Sequence, residues 1–422
     1  MIKSVCVMGL GYIGLPTSAM FAEHGVQVTG VDPQARIVDA LNAGEILIEE
    51  PGLQEMVHAN VKAGRLSGST KPVPSDAFVI AVPTPIHEDK TADMRYVQQA
   101  TEDLLPHLKK GDLIVLESTS PPRTVEDVML PILAKSGLDV RKDLHIAHSP
   151  ETVFPGKVIR ELTENDRIVG GLTPEATARA KELYEIFVEG RIHLTDATTA
   201  ETCKLIENTF RDVNIAFANE LAQICEYLGV NAWEVIELSN SHPRVNILQP
   251  GPGVGGHCIA VDPWFVVEKA PEIAKIVRLS RETNDSMPRY TYERALDMLR
   301  PLDSKKKVAI FGATFKPDTD DIRESPIAYL VDLLKDAGIE VSVYDPHAVL
   351  FEGKAASAEE AVKDADLLIM GVAHTDFKGM DVAPLAKLMR KAILFDTKNI
   401  VTKETAEKAG FTYHLLGMGG TK

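Results

Sequence analysis

Residues 5–16 read VCVMGLGYIGLP, and this stretch decides the fold of the first part of the chain. Its apolar start predicts a buried strand, and Gly9, Gly11 and Gly14 follow in a GxGxxG spacing where a helical segment begins. A second strand-like run, VQVTGVD, then ends at Asp32. A strand, a glycine turn, a helix and a second strand in this order predict the β-α-β unit of a dinucleotide-binding domain.

The residue types at this turn also predict the cofactor. The glycines allow a tight turn, a close approach of the backbone to a pyrophosphate, and close packing of helix against strand. The helix N-terminus offers N–H groups to the phosphates. Asp32 would accept hydrogen bonds from the adenine-ribose hydroxyls, and its charge disfavours a 2′-phosphate, so we expect NAD rather than NADP. A glycine turn without a ligand is the alternative.

The rest of the chain predicts two sheets of similar layout. Strand-like runs at 77–83, 113–119 and 144–150 are separated by helical segments, which predicts a parallel sheet with helices on both faces. After Lys307 the order returns, since VAIFGATFKPDT, VSVYDP and DLLIMGVA match VCVMGLGYIGLP, VTGVDP and DAFVIAVP. We therefore expect a second doubly wound α/β domain. It keeps only Gly312 of the glycine triplet, so we expect no second dinucleotide site.

Composition and charge narrow the class of protein. The 422 residues are 45% hydrophobic and 25% charged, with no apolar run of the ~18 residues that would cross a membrane. We therefore expect a cytoplasmic protein with no signal peptide and no membrane contact. The formal net charge of −16 argues against nucleic-acid binding, so an anionic substrate needs local positive charge. Lys316 and Arg323 are candidates, with ordinary surface charges as the alternative.

Residues 198–228 contain no glycine or proline, which predicts one helix of roughly thirty residues. Its apolar residues cover much of its circumference, so it is either a central core helix or a connector that also packs against a second subunit. Lys204 and Asn208 are four residues apart on one face, and Arg211 continues the stripe. A lined cleft and a solvated stripe both fit, but lysine beside asparagine suits a developing oxyanion.

The four cysteines are scattered without a CxxC pair, so we expect neither a disulfide framework nor a metal site. Cys258 differs from the others because it follows PGPGVGGH, a loop with little side-chain bulk that can lie close to a ligand. A thiol there can be exposed and its thiolate stabilised, as a nucleophile requires. The alternative is a small buried hydrophobe. A pair between Cys258 and the adjacent His257 is disfavoured because neighbouring side chains rarely face each other.

Taken together, these motifs resemble the UDP-glucose/GDP-mannose dehydrogenase family over essentially the whole chain. The shared motifs are GLGYIGLP, VPTP at 82–85, EST at 117–119, PE at 150–151, KLIENTFRDVNIAFANE, GVGGHCIAVDP and FKPDTDDIRESP at 315–326. The resemblance implies three parts: an NAD-binding Rossmann-like domain at 1–196, a central helical dimerisation region at 197–300, and a Rossmann-like UDP-sugar domain at 301–422.

The resemblance also implies the site. It makes Cys258 the nucleophile, Lys204 the proton donor or acceptor, Asn208 an oxyanion partner and Asp262 a support for the water chemistry, with Glu151 and Thr119 as further catalytic positions. The implied cofactor contacts are Gly9, Gly11, Tyr12, Ile13, Gly14, Asp32, Thr84, Thr119 and Arg323. The implied sugar-nucleotide contacts, some from a neighbouring subunit, are Thr152, Val153, Lys204, Asn208, Arg211, His242, Arg244, Gly255, Phe315, Lys316 and Lys398. Many relatives read PERV where this chain has Thr152 after Pro150-Glu151.

The implied reaction is a four-electron oxidation of a UDP-sugar at C6 to a carboxylate, through a thiohemiacetal and a thioester on Cys258, for cell-surface polysaccharide synthesis. Residues 242–265 are most similar to members that oxidise UDP-N-acetyl-D-mannosamine. UDP-N-acetylglucosamine, UDP-N-acetylgalactosamine and UDP-glucose are the alternatives. A two-electron hydroxyacid dehydrogenase would need neither the cysteine nor the second α/β domain, and a non-catalytic NAD-binding protein would not need the reactive loop.

Overall fold

The computed structural model describes residues 2–154, 156–256, 258–302 and 305–419. The chain forms two compact units, and each contains one β-sheet. The first consists of Met1–Glu207 with Trp264–Pro271, and the second of Asn208–Pro263 with Glu272–Lys422. The three-part division with boundaries at 196/197 and 300/301 stays a prediction.

The first unit is built on an eight-stranded sheet with the order β3-β2-β1-β4-β5-β6-β7-β8. Its strands are β1 (Ser4–Met8), β2 (Gln27–Val31), β3 (Leu66–Ser69), β4 (Ala77–Ile80), β5 (Leu113–Leu116), β6 (His145–His148), β7 (Arg167–Gly171) and β8 (Ile192–Asp196). The chain enters the sheet at β1 and adds β2 and β3 on one side of it. It then returns and adds β4 on the other side of β1. A ligand crevice is expected at this switch point, outside the carboxyl ends of the strands.

Helices cover both faces of this sheet, as predicted. Val5 and Val7 of β1 belong to one apolar cluster, and Cys6 and Met8 to another, because neighbouring residues of a strand point to opposite faces. The helices of the unit are α1 (Gly14–Glu23), α2 (Ala35–Asn42), α3 (Leu53–Lys62), α4 (Arg95–Leu104), α5 (Leu130–Leu133), α6 (Val158–Glu164) and α7 (Pro174–Tyr184), with a π-helix at Val125–Met129 and 3₁₀ turns at Leu105–His107 and Ala134–Ser136.

The strands predicted for the first sheet pair in parallel, as expected, and one antiparallel step follows them at β7. Strand β7 pairs antiparallel with β6, with Ala147 opposite Gly171, and β8 then runs parallel to β7. Helix α6 has seven residues and is about 10 Å long, too short to carry the chain back to the opposite edge of the sheet. Consequently β7 begins, at Arg167, on the side of the sheet where β5 and β6 end.

The predicted long helix is confirmed as α8 (Ala197–Leu228), which has 32 residues. It is followed by α9 (Ala232–Asn240), α10 (Asp262–Lys269) and α11 (Lys275–Leu299). Six large apolar side chains of α8 remain exposed, and five of them follow a spacing of three, four and seven residues, namely Ile206, Phe210, Phe217, Ile224 and Tyr227. This spacing averages 3.5 residues, so the side chains form one stripe along the helix. We call these five residues the α8 stripe.

The second unit contains the predicted second doubly wound sheet, with five parallel strands in the order β10-β9-β11-β12-β13. Its strands are β9 (Lys307–Phe311), β10 (Glu340–Tyr344), β11 (Leu367–Met370), β12 (Ile393–Asp396) and β13 (Thr412–Leu415). Its further helices are α12 (Pro326–Asp336), α13 (Ala358–Val362), α14 (Ala383–Leu388) and α15 (Lys403–Lys408), with a 3₁₀ turn at Thr375–Phe377. Alternating residues of β9 again enter two apolar clusters, one on each face.

Candidate active site

The glycine turn after β1 has the geometry that a dinucleotide site needs. Gly9 has a φ of +96°, and a Cβ there would lie 2.5 Å from the carbonyl oxygen of Ala81. A Cβ on Gly14 would lie 1.9 Å from the carbonyl oxygen of Gly9, so both positions exclude a side chain. A Cβ on Gly11, by contrast, would have no described atom within 4 Å. The protein itself leaves room at Gly11, and a ligand phosphate can approach the backbone there.

Asp32 follows β2 and is oriented by two backbone groups. Its carboxylate accepts hydrogen bonds from the N–H of Leu10, at 3.2 Å, and of Gln34, at 3.0 Å. A carboxylate has about four lone-pair positions, so further ones are left for ribose hydroxyls. At the turn, Tyr12 is exposed and Ile13 is half-buried. These residues fit an NAD site.

Two further predicted positions meet at the ends of neighbouring strands. The hydroxyl of Thr84, beyond β4, donates a 2.6 Å hydrogen bond to the carbonyl of Thr119, beyond β5. Both residues are half-buried. The structure therefore brings Thr84 and Thr119 together at the carboxyl ends of β4 and β5, on the edge of the sheet where the glycine turn also lies.

Glu151, beyond β6, is 9% exposed, and both of its carboxylate oxygens accept hydrogen bonds. One oxygen accepts from the backbone N–H groups of Thr152, at 2.6 Å, and Val153, at 3.1 Å. The other accepts from Nη1 of Arg167 at 2.9 Å. Glu151 therefore fixes the backbone of the two residues that follow it, while Arg167 fixes Glu151.

Arg167 is a functional candidate that the sequence analysis missed. While the direction of a strand is unknown, an arginine at its start looks like an ordinary surface charge. The antiparallel step at β7 brings Arg167 to the edge of the sheet where β5 and β6 end. The only sequence signal was the apolar run IVGG directly after it, which predicts a buried strand.

Lys204 lines a cavity in the first unit of about 230 Å³. The lining residues are Pro150, Thr152, Asp166, Ile168, His193, Lys204 and Glu207. Two predicted substrate contacts, Thr152 and Lys204, therefore face the same space. This space lies directly beside the segment that Glu151 fixes.

The loop before Cys258 packs closely against the segment that begins at Phe315. A Cβ on Gly255 would lie 2.4 Å from the carbonyl oxygen of Glu324, and a Cβ on Gly256 would lie 2.9 Å from the ring of Phe315. No side chain fits at either position. Cys258 itself is exposed, as the prediction of a nucleophile requires. His257 lies outside the described residues.

Asp262 and Asn208 lie close to Cys258 in the second unit. Nδ2 of Asn208 donates a 2.6 Å hydrogen bond to Oδ2 of Asp262, and both side chains are buried. The N–H of Asp262 donates to the carbonyl of Cys258 at 2.9 Å as α10 begins. The structure thus brings three of the predicted catalytic residues together, and the asparagine amide carries a second N–H for another acceptor.

Both sides of this loop are also held by buried polar residues that the sequence analysis did not single out. Arg281 forms an ion pair with Asp212, with 2.5 Å between Nη1 and Oδ1, and its Nη1 lies 3.5 Å from the carbonyl oxygen of Ile259. Asn219 accepts a 2.9 Å hydrogen bond from the N–H of Gly251. Their positions on α8 and α11 gave no signal, because isolated polar residues in a helix usually face solvent.

One cluster of metal-ligand types occurs among the described residues, formed by Asp318, His347 and His374. Nδ1 of the buried His374 accepts a hydrogen bond from the N–H of Asp318 at 2.9 Å, and its Nε2 lies 3.0 Å from Oδ2 of Asp345. Both ring nitrogens therefore have protein partners, and the cluster joins the loops beyond β9, β10 and β11. The expectation of no metal site stays a prediction.

Sequence models of one family match most of the chain. The matches are to the UDP-glucose/GDP-mannose dehydrogenase family: its NAD binding domain at residues 3–188, its central domain at 198–286 and its UDP binding domain at 309–403. The chain belongs to this family. As a member it uses NAD, which fits the glycine turn and Asp32, and its substrate is a UDP-sugar.

Full-length relatives agree with this assignment. The chain is 47% identical over 426 residues to a UDP-N-acetyl-D-mannosamine dehydrogenase of Methanococcus maripaludis, with 99% of this chain and 98% of that protein covered. It is 46% identical over 413 residues to an NDP-N-acetyl-D-galactosaminuronic acid dehydrogenase of Ralstonia nicotianae, with 94% and 96% covered. The solved structure of a UDP-N-acetyl-mannosamine dehydrogenase from S. aureus superposes with a TM-score of 0.89 at 46% identity, with 98% and 99% covered.

The remaining predicted contacts of this UDP-sugar dehydrogenase differ in environment. Lys316 is half-buried, with its amine 5.7 Å from the centre of the Phe315 ring. Burial lowers the pKa of Lys398, although the nearby Asp396 opposes this shift, and a Cβ on Gly251 would lie 2.6 Å from its amine. Arg323 is exposed and forms an ion pair with Asp321. The exposed residues Arg211, His242 and Arg244 stay predictions.

Within the described part of the chain, every helix is too short or too polar to traverse a bilayer.

Proposed function

We propose that this chain oxidises C6 of UDP-N-acetyl-D-mannosamine from an alcohol to a carboxylate, consuming two NAD per sugar, for cell-surface polysaccharide synthesis. The observation that carries the proposal is the exposed Cys258 at the end of a loop that excludes side chains, beside the buried Asp262–Asn208 pair. The full-length relatives named for this sugar support the choice of substrate. We place the reaction in the cytoplasm, where a thiol stays reduced.

The glycine turn and Asp32 would hold the cofactor. Backbone N–H groups at the start of α1 would bind the pyrophosphate, and Asp32 would bind the adenine ribose. Tyr12, Ile13, Thr84, Thr119 and Arg323 are the further proposed contacts. Bound NAD supplies a hydride acceptor.

In the first oxidation, C6 of the sugar loses a hydride and its hydroxyl loses a proton. Lys204, which lines the cavity beside Thr152, takes this proton directly or through an ordered water. The product is an aldehyde, which would escape unless it were captured. Glu151 holds the backbone of Thr152 and Val153 in place as the wall of this cavity.

Cys258 is the nucleophile that captures the aldehyde. The thiolate sulfur forms a bond to C6, and the carbonyl oxygen becomes an oxyanion that is protonated to give a thiohemiacetal. The positive charge of Lys204 and the second amide N–H of Asn208 stabilise this oxyanion. Asp262 accepts the first amide N–H and so orients the asparagine.

The second oxidation starts from the thiohemiacetal. C6 loses its second hydride, the hydroxyl loses its proton, and a thioester remains on Cys258. Water then adds to the carbonyl carbon, the C–S bond breaks, and the carboxylate and the thiol are released. Asp262, Glu151 and Thr119 are the groups that we propose to order this water. The sugar must remain bound while NADH leaves and fresh NAD enters.

Local cations would bind the diphosphate of the substrate against the net charge of −16. Lys316 and Lys398 lie in the second unit beside the loop that contains Gly251 and Gly255. Phe315 packs against the same loop and offers an aromatic face. Arg211, His242 and Arg244 are proposed as further contacts, some of them from a neighbouring subunit.

We also propose that the protein is a homodimer. The α8 stripe exposes between 46% and 83% of each of its five apolar side chains, although single exposed apolar residues are more usual on a monomer. A second copy of α8 could cover the stripe symmetrically, because a two-fold interface presents the same surface from both partners.

A panel of UDP-sugars with absorbance detection of NADH tests the function. UDP-N-acetyl-D-mannosamine should give the highest kcat/KM and two NADH per sugar, because the alcohol loses four electrons. UDP-N-acetylglucosamine, UDP-N-acetylgalactosamine and UDP-glucose should react more slowly. A stoichiometry of one NADH per sugar would point to a simple two-electron dehydrogenase and contradict the proposal, and absence of any NADH would indicate a non-catalytic protein.

The second candidate is the same reaction on the UDP-N-acetylgalactosamine epimer. The relative from Ralstonia nicotianae favours it, because it is named for the galacto acid and is almost as similar to this chain as the mannosamine enzymes are. The same panel decides between the epimers through the ratio of their kcat/KM values.

A further inference from the structure

One arginine of the first unit binds two carboxylates at the edge of the sheet where the predicted site lies. The guanidinium of Arg167 donates through Nη1 to Glu151 at 2.9 Å and through Nη2 to Glu117. Its Nε donates to the hydroxyl of Ser149 at 2.9 Å, and its carbon lies 3.9 Å from the centre of the Tyr184 ring. All its nitrogens are therefore engaged, and the side chain is 5% exposed.

The partners of Arg167 come from different elements of the cofactor domain. Glu117 directly follows β5, Ser149 directly follows β6, and Glu151 comes two residues after Ser149. Glu117 also accepts hydrogen bonds from the hydroxyl of Thr17, at 3.3 Å, on the helix that begins at the glycine turn, and from the hydroxyl of Tyr184 at 3.1 Å. Arg167 thus connects two strand ends and the cofactor-binding helix.

The charges of the cluster show why the arginine is needed. Two buried carboxylates face a single guanidinium, and an unpaired buried charge is strongly unfavourable. Burial raises the pKa of Glu117 to about 7, although Arg167 lowers it, while Glu151 raises it further. The neighbouring His148 is neutral, because burial lowers its pKa to about 3. The Arg167 guanidinium is therefore the positive charge that both buried carboxylates contact.

We propose that Arg167 is a positioning residue of the oxidation: it holds Glu151, and through Glu151 the backbone of Thr152 and Val153, at the wall of the Lys204 cavity. This inference rests on the proposed function, in which this segment faces the sugar. It also explains why the chain can carry Thr152 where many relatives have arginine: Glu151 accepts the backbone N–H of this residue, not its side chain.

Arg167→Lys tests the proposal, because lysine keeps the charge but cannot bridge two carboxylates and a hydroxyl with a planar fork. We expect kcat for the UDP-sugar to fall about 10- to 100-fold, as for misplaced substrate-facing groups, with the KM for NAD changed by less than about 3-fold. Glu117→Gln is the matched comparison, because it keeps the Arg167–Glu151 bond, and its kcat should stay within about 3-fold of wild type.

Arg65→Lys controls for a general effect of changing an arginine in this unit. Arg65 donates to the carbonyl of Ala22 and to Asn60, just before β3, at the opposite edge of the sheet. Arg65→Lys should therefore leave kcat unchanged. Should Arg167→Lys alone not fold, the double variant Arg167→Lys/Glu117→Gln takes its place, because it removes the surplus buried carboxylate.

Amide hydrogen exchange supplies a readout that does not depend on turnover. The N–H groups of Thr152 and Val153 should exchange faster in Arg167→Lys than in wild type, and at the wild-type rate in Arg65→Lys. Unchanged exchange at these two amides, or wild-type kcat in a folded Arg167→Lys, would overturn the proposal. If wild type oxidises no UDP-sugar, the proposed function fails, and the exchange comparison still decides whether Arg167 holds this segment.

Discussion

At the scale of the residue, substitution of Cys258 tests the four-electron route directly. Cys258→Ser should retain binding of UDP-sugar and NADH but lose about 10³-fold or more of turnover, since a hydroxyl is a far weaker nucleophile than a thiolate. Titration calorimetry measures the binding, and NADH absorbance measures the turnover. Cys203→Ser, a half-buried cysteine on α8, is the matched control and should behave as wild type. Full activity of Cys258→Ser would refute the covalent intermediate.

Glu117 gives a prediction about pH and stability. Its pKa is raised from 4.5 to about 7 in the folded protein, mainly by burial. Between these values the folded state binds one more proton than the unfolded state, so stability falls as pH rises. The contribution is fully present below pH 4.5 and is lost as pH rises through 7, with a total on the order of 3 kcal/mol.

Glu117→Gln removes this titration. The difference in free energy of unfolding between the variant and wild type, measured by urea denaturation, should therefore shift in favour of the variant as pH rises from 5 to 8. Other buried acids are common to both proteins and cancel in the difference. A difference that does not change with pH would show that Glu117 is ionised throughout.

Single residues were also where sequence reasoning reached furthest. The glycine triplet, Asp32 and Cys258 could be singled out as candidates because each depends on local backbone geometry or on an unusual loop. Arg167 and Arg281 could not, because their importance lies in partners that are distant along the chain. Glu117 is separated from Arg167 by 50 residues, and Asp212 from Arg281 by 69.

At the scale of the element, the α8 stripe predicts that the protein forms a homodimer. Phe217→Glu would place a charge in the middle of the α8 stripe, and burying it in an interface is strongly unfavourable. Light scattering should therefore find a monomer for this variant and a dimer for wild type. Leu350→Glu is the matched control, because Leu350 is 76% exposed but lies in the loop that follows β10 and is not part of the α8 stripe. A wild-type monomer, or a Phe217→Glu dimer, would contradict the proposal.

The ends and directions of strands could not be predicted from the spacing of apolar residues. The spacing of apolar residues located α8 and the strands. Strand β4, however, ends at Ile80 and not at residue 83 as predicted, because the prolines of VPTP cannot donate a hydrogen bond to a sheet. The direction of β7 was not predictable either. Strand propensity is the same for both directions, and the direction depends on the length of the connection through α6.

At the scale of the whole molecule, two similar sheets are expected to bind different ligands. NADH should slow amide exchange at Gly9–Gly14 of the first unit, and UDP should slow it at the corresponding loop after β9, from Gly312 to Lys316. The reason is that the first loop has the full glycine triplet, whereas the second has a single glycine with a neighbouring lysine. Exchange mass spectrometry with each ligand alone measures this. Protection of the first loop by UDP alone would contradict the division of ligands.

The double layout itself could be predicted from the sequence, because three strands recur in the same order. The number of strands could not: β7 and β8 extend only the first sheet, and β8 has mostly exposed side chains that carry little apolar signal. The division into compact units within α8 also left no signal in composition.

The carboxylate of Asp32 has a consequence for the evolution of cofactor choice. It binds two backbone N–H groups of its own domain, one at the glycine turn and one ahead of α2, in addition to any ribose. A lineage that came to use NADP could not simply replace Asp32 by a residue without a carboxylate, since the change would remove at least one of these two hydrogen bonds. Such a switch would require at least one compensating mutation before it became advantageous, which makes the preference for the unphosphorylated pool hard to reverse.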